Sequence, residues 1–234
     1  MNFREFSKRV AVSIDDLCGE YVREHRGEMR IKKEAVAVRN VRAIVSAALK
    51  LSCRKGFDAM SLRDLSRESG LSMGALYSYF SSKEELLVLI QSLGRKAVER
   101  ILRSHIEKES QPRDRLRVAV RTHLYLSELL KDWFYFFFME ARRLEDRFRS
   151  AAMQSELLTE GIIVDILDEG IRAGVFRELN LALAGSVIKA MMQDWYLKRW
   201  KYARRRISVD EYADFVISVV EAFAMEPAMV SWED

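Results

Sequence analysis

Apolar side chains return at three- and four-residue steps along almost the whole chain and hardly ever at alternate positions. That spacing lines one face of a helix, whereas a half-buried strand needs alternation. Phe3, Phe6, Val10, Ile14, Leu17 and Tyr21 form the first such face, predicting an amphipathic helix over 3–22. Gly27 interrupts it within the basic stretch from Arg23 to Lys33. Val41, Ile44, Val45, Ala48 and Leu49 form a second face, and its helix ends at Lys55-Gly56, where glycine after basic residues suits a C-cap. Two short helices follow. Ser61 with Asp64 three residues on is a capping-box pattern for a run that stops at Gly70, and Ser72 opens another helix from Met73 to about Tyr79. Ser82-Lys83-Glu84-Glu85 starts a long helix striped by Leu86, Leu89, Ile90, Leu93, Ala97 and Ile101. From Pro112, a suitable first-turn residue, helices are predicted over 112–131, 133–148, 150–173, 180–204 and 208–225. The pattern predicts an all-α protein. Its expected parts are an N-terminal helical, basic extension (1–36), a three-helix domain with a helix-turn-helix (37–84), a helical bundle (85–226) and a tail (227–234).

Composition agrees. Only 2 Pro and 10 Gly punctuate 234 residues, too few turn breakers for a β-sandwich or barrel. With 49% apolar and 32% charged residues the chain reads as globular and not disordered. Cys18 and Cys53 show no disulfide framework or metal spacing, which fits a reducing compartment. No apolar run approaches the roughly 18 residues of a membrane span, and the start MNFREFSKRV lacks a signal-peptide core. The expected location is the cytoplasm, with no membrane partner. Charge is uneven: residues 1–95 carry 17 Lys/Arg against 12 Asp/Glu, the remainder 22 against 23. A basic first part on a neutral body points to an anionic partner for that part, or simply to a solvated surface.

Residues 61–80 have the layout of a helix-turn-helix. Leu65, Leu71, Leu76 and Phe80 are placed to bury against the 41–55 helix. The second short helix then presents Ser72, Met73, Ala75, Tyr77, Ser78 and Tyr79 outward, a shape that fits a DNA major groove. The stretch from Arg42 through Gly56-Phe57, Ser61-Leu-Arg-Asp-Leu and Ser69-Gly-Leu-Ser-Met-Gly-Ala-Leu-Tyr-Ser-Tyr-Phe80 to Leu86 resembles the TetR family of bacterial transcriptional regulators. The run Gly74-x-Leu76-Tyr77-x-Tyr79-Phe80-x-x-Lys83-Glu84 is its most specific part.

The resemblance implies that Ser61, Tyr77 and Lys83 touch DNA phosphates, and that Arg63, Ser72, Met73 and Ala75 lie at or near base edges. Gly74 and Ser78 complete that surface, with Tyr79 either on it or, like Phe80, packed inside. Ser61 and Ser72 also suit plain helix N-caps, and Arg63 also suits a solvated charge. A side chain at position 74 would hinder close approach of the backbone. Two places depart from the family pattern: Met60-Ser61 replaces a common hydroxyl pair, and Leu65-Ser66 replaces Ile-Ala. The extension before the first family helix is long; its basic part is either an arm to flanking DNA or a helix packed on the body.

Further along, Leu181, Leu183, Val187, Ile188, Met191, Met192, Trp195 and Tyr196 span most of the circumference of one helix, which calls for burial on both sides. The resemblance implies a homodimer through the last two helices, with Val187, Met191, Trp195, Tyr212, Phe215, Val219 and Phe223 at the interface. Small Gly185, Ser186 and Ala190 would let the partner approach. A two-fold protein matches a palindromic operator in double-stranded DNA. Trp133-Phe-Tyr-Phe-Phe-Phe-Met139 sets six aromatics in a row. It reads as a core helix or, with Trp133, Phe134, Phe137, Phe138, Met153, Leu157 and Trp195, as the wall of an apolar cavity for a small-molecule effector. Such a wall suits a fatty-acyl or aromatic ligand. His25, His105 and His123 are scattered, and no phosphate loop, nucleophile elbow or zinc motif is present, so neither an enzyme nor a cofactor is expected. The Arg204-Arg205-Arg206 run reads as a helix C-terminal charge cluster. A ligand-sequestering helical protein without DNA recognition, or a ligand-independent or activating regulator, are the competing readings.

Overall fold

The computed structural model describes residues 1–10, 14–27, 33–141 and 146–225, and every regular element among them is a helix. In chain order these are α1 (Phe3–Arg9), α2 (Ile14–Glu24), α3 (Glu34–Lys55), α4 (Leu62–Ser69), α5 (Met73–Leu76), α6 (Lys83–Ile106), α7 (Pro112–Leu129), α8 (Lys131–Ala141), α9 (Asp146–Arg172), α10 (Leu181–Leu197), α11 (Arg199–Arg204) and α12 (Val209–Ala224). The chain folds into two compact units. One holds Glu5–Val98 and Leu130–Ser155; the other holds Met1–Arg4, Glu99–Leu129 and the described residues from Glu156 on.

The first unit is built around α3, against which α2, α4 and α8 pack. Val41, Ile44, Val45 and Ala48 recur at helical spacing and all are buried. They meet Leu17, Cys18 and Val22 of α2, Leu65 of α4, Leu76 of α5, Leu86 and Ile90 of α6, and Trp133 and Phe136 of α8 in one apolar cluster. Each of the valine, leucine, isoleucine and phenylalanine side chains among them contributes about 1.5–3 kcal/mol by leaving water. The N-terminal extension therefore enters through α2 as a packed helix, tied further by the Lys96–Glu24 ion pair. Part of its basic stretch, residues 28–32, lies outside the described residues.

In the second unit α7, α10 and α12 pack on one another. Leu116, Val120 and Leu124 of α7 join Ile188 and Met192 of α10 and Val216 and Val220 of α12 in its core. Glu221 of α12 accepts from Arg113 at 2.8 Å and from Arg117 at 3.0 Å, and the two guanidiniums hold its carboxyl below the usual range.

Several boundaries differ from the sequence pattern. The 3–22 helix is two helices, with residues 11–13 outside the described set. The 180–204 helix breaks at Lys198 (φ −118°, ψ 33°). There Asp194 gathers Lys198 and Lys201, each at 2.6 Å, together with the Tyr202 hydroxyl. The unit holding the helix-turn-helix also extends past residue 84, because α6 runs on and α8 packs onto α3. Residues 227–234 lie outside the described set. Gly185 is a correction: it is buried, and a Cβ there would lie 2.6 Å from Val164 Cγ2. It lets α10 close on α9 within the protomer and does not open room for a partner.

Candidate DNA-reading surface

The two short helices are fixed by their own polar side chains. Ser61 Oγ accepts from the Asp64 N–H at 3.1 Å while Asp64 Oδ2 accepts from the Ser61 N–H at 3.0 Å, a closed capping box at the start of α4. Gly70 ends α4 in the left-handed region at φ 71°, where a side chain would be strained. The Ser66 hydroxyl donates to the Leu71 carbonyl at 2.6 Å and pins the turn from inside. Ser72 Oγ then accepts from the Ala75 N–H at 3.2 Å and starts α5. Leu65, Leu76 and Phe80 anchor the motif in the core, with Leu71 half-buried against it.

Outward from that anchor lie the residues predicted to meet DNA. Ser61, Arg63, Ser72, Gly74 and Tyr77 are exposed or half-exposed, Tyr77 by 52% despite its large apolar ring. The Ser78 hydroxyl, at the edge of the same surface, donates back to the Gly74 carbonyl at 3.1 Å. Met73 packs part of its side chain on the core. Tyr79 is the one that turns away: it is buried, and burial pushes its phenol upward. Its place in the motif is packing. Gly74 answers to nothing inside the protein, since a Cβ there would meet no heavy atom within 4 Å.

The electrostatics favour an anion. Both carboxylates of α4 are held by basic residues of α3: Asp64 by Lys55 at 2.5 Å, and Glu68 by Lys50 and by Arg54 at 3.8 Å. Arg67 adds a 3.0 Å pair to Asp64. Hydrogen bonds from Lys55 and Ser61 hold the Asp64 carboxyl well below the usual range, and Lys50 does the same for Glu68. Arg63 pairs with no carboxylate among the described residues. Lys83 stands on the same unit with its Nζ 2.7 Å from the Asp58 carbonyl and 5.0 Å from the Phe57 ring centroid.

The aromatic run is mostly core. Trp133 and Phe136 are buried in the first unit; the Trp133 indole N–H donates to the Ile90 carbonyl at 3.1 Å, and Phe136 meets Phe57 edge-on at 5.7 Å. Trp133 and Phe137 also crowd Gly94, where a Cβ would come within 2.7 Å of both. Phe134, Phe137 and Phe138 are half-buried on the same helix. Met153 and Leu157 of α9 are exposed. Trp195 belongs to the second unit and is only 1% exposed. It stacks on Tyr202 at 5.0 Å, and its N–H donates to Glu128 Oε2 at 3.0 Å. Its ring offers no surface to a partner subunit, so it leaves the interface set. Of the rest, Val187, Phe215, Val219 and Phe223 are exposed on α10 and α12, and Met191 and Tyr212 are half-buried. Leu183 is likewise exposed, one turn before Val187 on the same face of α10.

The sequence matches the family model for bacterial regulatory proteins of the tetR family over residues 44–90, and that for the tetracyclin repressor-like C-terminal domain over 109–222. The HTH-type transcriptional regulator HbdR of Aromatoleum sp. (strain CIB) is 26% identical over 181 residues, 77% of this chain and 79% of that protein. The TetR family regulator PfmR from Thermus thermophilus superposes with a TM-score of 0.67 at 29% identity, over 76% of this chain and 96% of PfmR. AibR, solved in complex with isovaleryl coenzyme A and operator DNA, superposes with a TM-score of 0.68 over 77% of this chain and 97% of its own; at 19% identity that likeness concerns the fold.

Proposed function

Because the chain belongs to the TetR family of bacterial regulatory proteins, we propose that it acts as a homodimeric repressor, releasing a palindromic operator when a small apolar ligand binds. It is a transcriptional regulator and not an enzyme. The observation that carries the reading is the α4–α5 surface: two capped helices, neutralised carboxylates, and an exposed glycine that packing does not require. In this reading Ser61, Tyr77 and Lys83 grip phosphates, while Arg63, Ser72, Met73 and Ala75 meet base edges across Gly74 and Ser78.

Dimerisation is supported by the face of α10 and α12, where Leu183, Val187, Phe215, Val219 and Phe223 stand exposed. Side chains of that size leave water when a second copy covers them. Two reading helices one helical turn apart then meet successive major grooves of a palindrome. An effector needs only to bind better to a spacing that mismatches those grooves, and a few kcal/mol of difference suffices. The half-buried Phe134, Phe137 and Phe138 favour a fatty-acyl or aromatic effector, in line with the isovaleryl coenzyme A bound by AibR. No described helix is long and apolar enough to cross a membrane, and the cytoplasm is the expected place of action.

A DNase footprint on the DNA upstream of the chain's own gene tests the reading. The expected result is a protected palindrome that is lost in Tyr77→Ala with the helical content and dimer intact. Protection that survives in Tyr77→Ala, or a folded dimer that protects no palindrome in any genomic fragment, overturns it.

A further inference from the structure

We propose that the arginine-rich end of α11 is a second phosphate-binding surface, one that takes the backbone of double-stranded DNA. From Lys198 to Arg206, six of nine residues are basic. Three of the six have structural work. Lys198 and Lys201 hold the two oxygens of Asp194, each at 2.6 Å. Arg199 grips Glu128 through two hydrogen bonds at 2.7 and 2.6 Å and lies over the Trp195 ring. Arg204, Arg205 and Arg206 are different: all are exposed, and no described carboxylate pairs with them. The acidic groups next along the chain are engaged elsewhere. Asp210 accepts from the Phe3 N–H at 2.9 Å and from the Tyr125 hydroxyl, and Glu211 closes the capping box of α12.

The backbone gives a second, independent sign. Arg206 is the one non-glycine residue with positive φ among those described, at 57°. It closes α11, with its N–H on the Ala203 carbonyl at 3.1 Å and the Ile207 N–H on the Tyr202 carbonyl at 3.0 Å. Glycine would serve that turn better, so an arginine there is held against local preference for its side chain. One turn earlier Trp200 stands 68% exposed beside the same cluster.

Three neighbouring guanidiniums fit phosphate oxygens in bidentate fashion. A six-residue helix with one indole is too small for an interfacial membrane anchor. The inference rests on the chain being a DNA-bound regulator, and its test is separable from the operator test.

Full-length protein is titrated with a long random-sequence duplex at several salt concentrations, as wild type and as Arg204→Gln/Arg205→Gln/Arg206→Gln. The slope of log K against log salt is expected to shrink by ~0.9 for each phosphate no longer neutralised, up to about five for a dimer. Arg206→Gly, which relaxes the turn, is expected to raise the melting temperature while reducing the slope by about two. Unchanged slopes in both variants overturn the proposal. So does a loss of binding to phosphatidylglycerol vesicles with the DNA slope intact, which would assign the patch to a membrane. If no operator is found but the random-duplex slopes differ as expected, the repressor reading fails while this surface stands.

Discussion

Lys189 is buried in the second unit, where its Nζ lies 3.0 Å from His123 Nε2 and 2.5 Å from the Thr159 hydroxyl. Burial and the neighbouring ammonium push the His123 imidazole well below its usual value, so it is neutral and accepts. Desolvation pulls Lys189 from 10.5 down to about 8, against the attraction of Glu156 and Glu160. At neutral pH the ammonium is thus kept charged where charge is unfavourable. A displacement of that size corresponds to a cost of about 3 kcal/mol at pH 7. Lys189→Met removes the charge at similar volume but leaves the His123 acceptor and the Thr159 hydroxyl without their donor, worth about 1 kcal/mol each. The variant is therefore expected to be more stable than the parent by about 1–2 kcal/mol at pH 7.

The pH dependence makes the reasoning refutable. Between pH 8 and 10.5 the unfolded lysine binds a proton that the folded one has released, so wild-type stability rises with pH, by at most ~1.4 kcal/mol per unit. Below pH 8 both states are protonated and this contribution is flat. Tyr125, raised to about 12, acts in the opposite direction above pH 10, where its unfolded phenol ionises first and favours unfolding. That effect is common to both proteins and cancels in their difference. Urea unfolding at fixed protein concentration, followed by circular dichroism at pH 7 and about pH 9.5, measures the gap. It should narrow by more than ~1 kcal/mol over that interval. A Lys189→Met protein less stable than wild type at pH 7, or a gap independent of pH, refutes the account.

Other substitutions probe the remaining parts. Gly74→Glu projects into open space, so the thermal midpoint should hold within a few degrees while operator affinity in a gel shift falls more than about tenfold; retained affinity removes Gly74 from the DNA surface. At Gly170 a Cβ would sit 2.1 Å from the buried Phe176 ring, so Gly170→Ala should lose about 1–3 kcal/mol in urea unfolding, and a neutral result would mean the ring moves freely. Val187→Glu/Phe215→Glu places charge on the exposed faces of α10 and α12, where the parent residues are 58% and 65% exposed. Size-exclusion chromatography with light scattering should show a folded monomer, and a persisting dimer would place the interface elsewhere.

What could be read from the chain is mostly local. The capping boxes at Ser61 and Ser208, the N-cap at Ser72 and the left-handed Gly70 depend on residues three to five apart, and each signal sits beside the structure it makes. The α3 face was legible because its spacing is that of a helix with one dry side. Partners distant in sequence were not. Asp194, in the last turn before the break at Lys198, holds Lys198, Lys201 and Tyr202 from across it, and hydropathy alone runs through that point. The aromatic run left core and cavity open because both want the same residues; only the Ile90 carbonyl beneath Trp133 and the Phe57 ring beside Phe136 place those two rings in the core.

Glycine shows the same limit at the reading surface. Gly74 and Gly185 both lie in helices, and the sequence pattern reads each as room for an approaching partner. At Gly185 the space is filled by Val164 of the same chain, so the small residue is a condition of folding. At Gly74 the space is empty in the protomer, and glycine disfavours the short helix it occupies by roughly 0.5–1 kcal/mol relative to alanine. Nothing in the described fold compensates that cost at position 74, while the exposed Tyr77 and the bound carboxylates of Asp64 and Glu68 prepare the same surface for an anion. The residue whose presence packing leaves unexplained is the one a DNA backbone at close range accounts for.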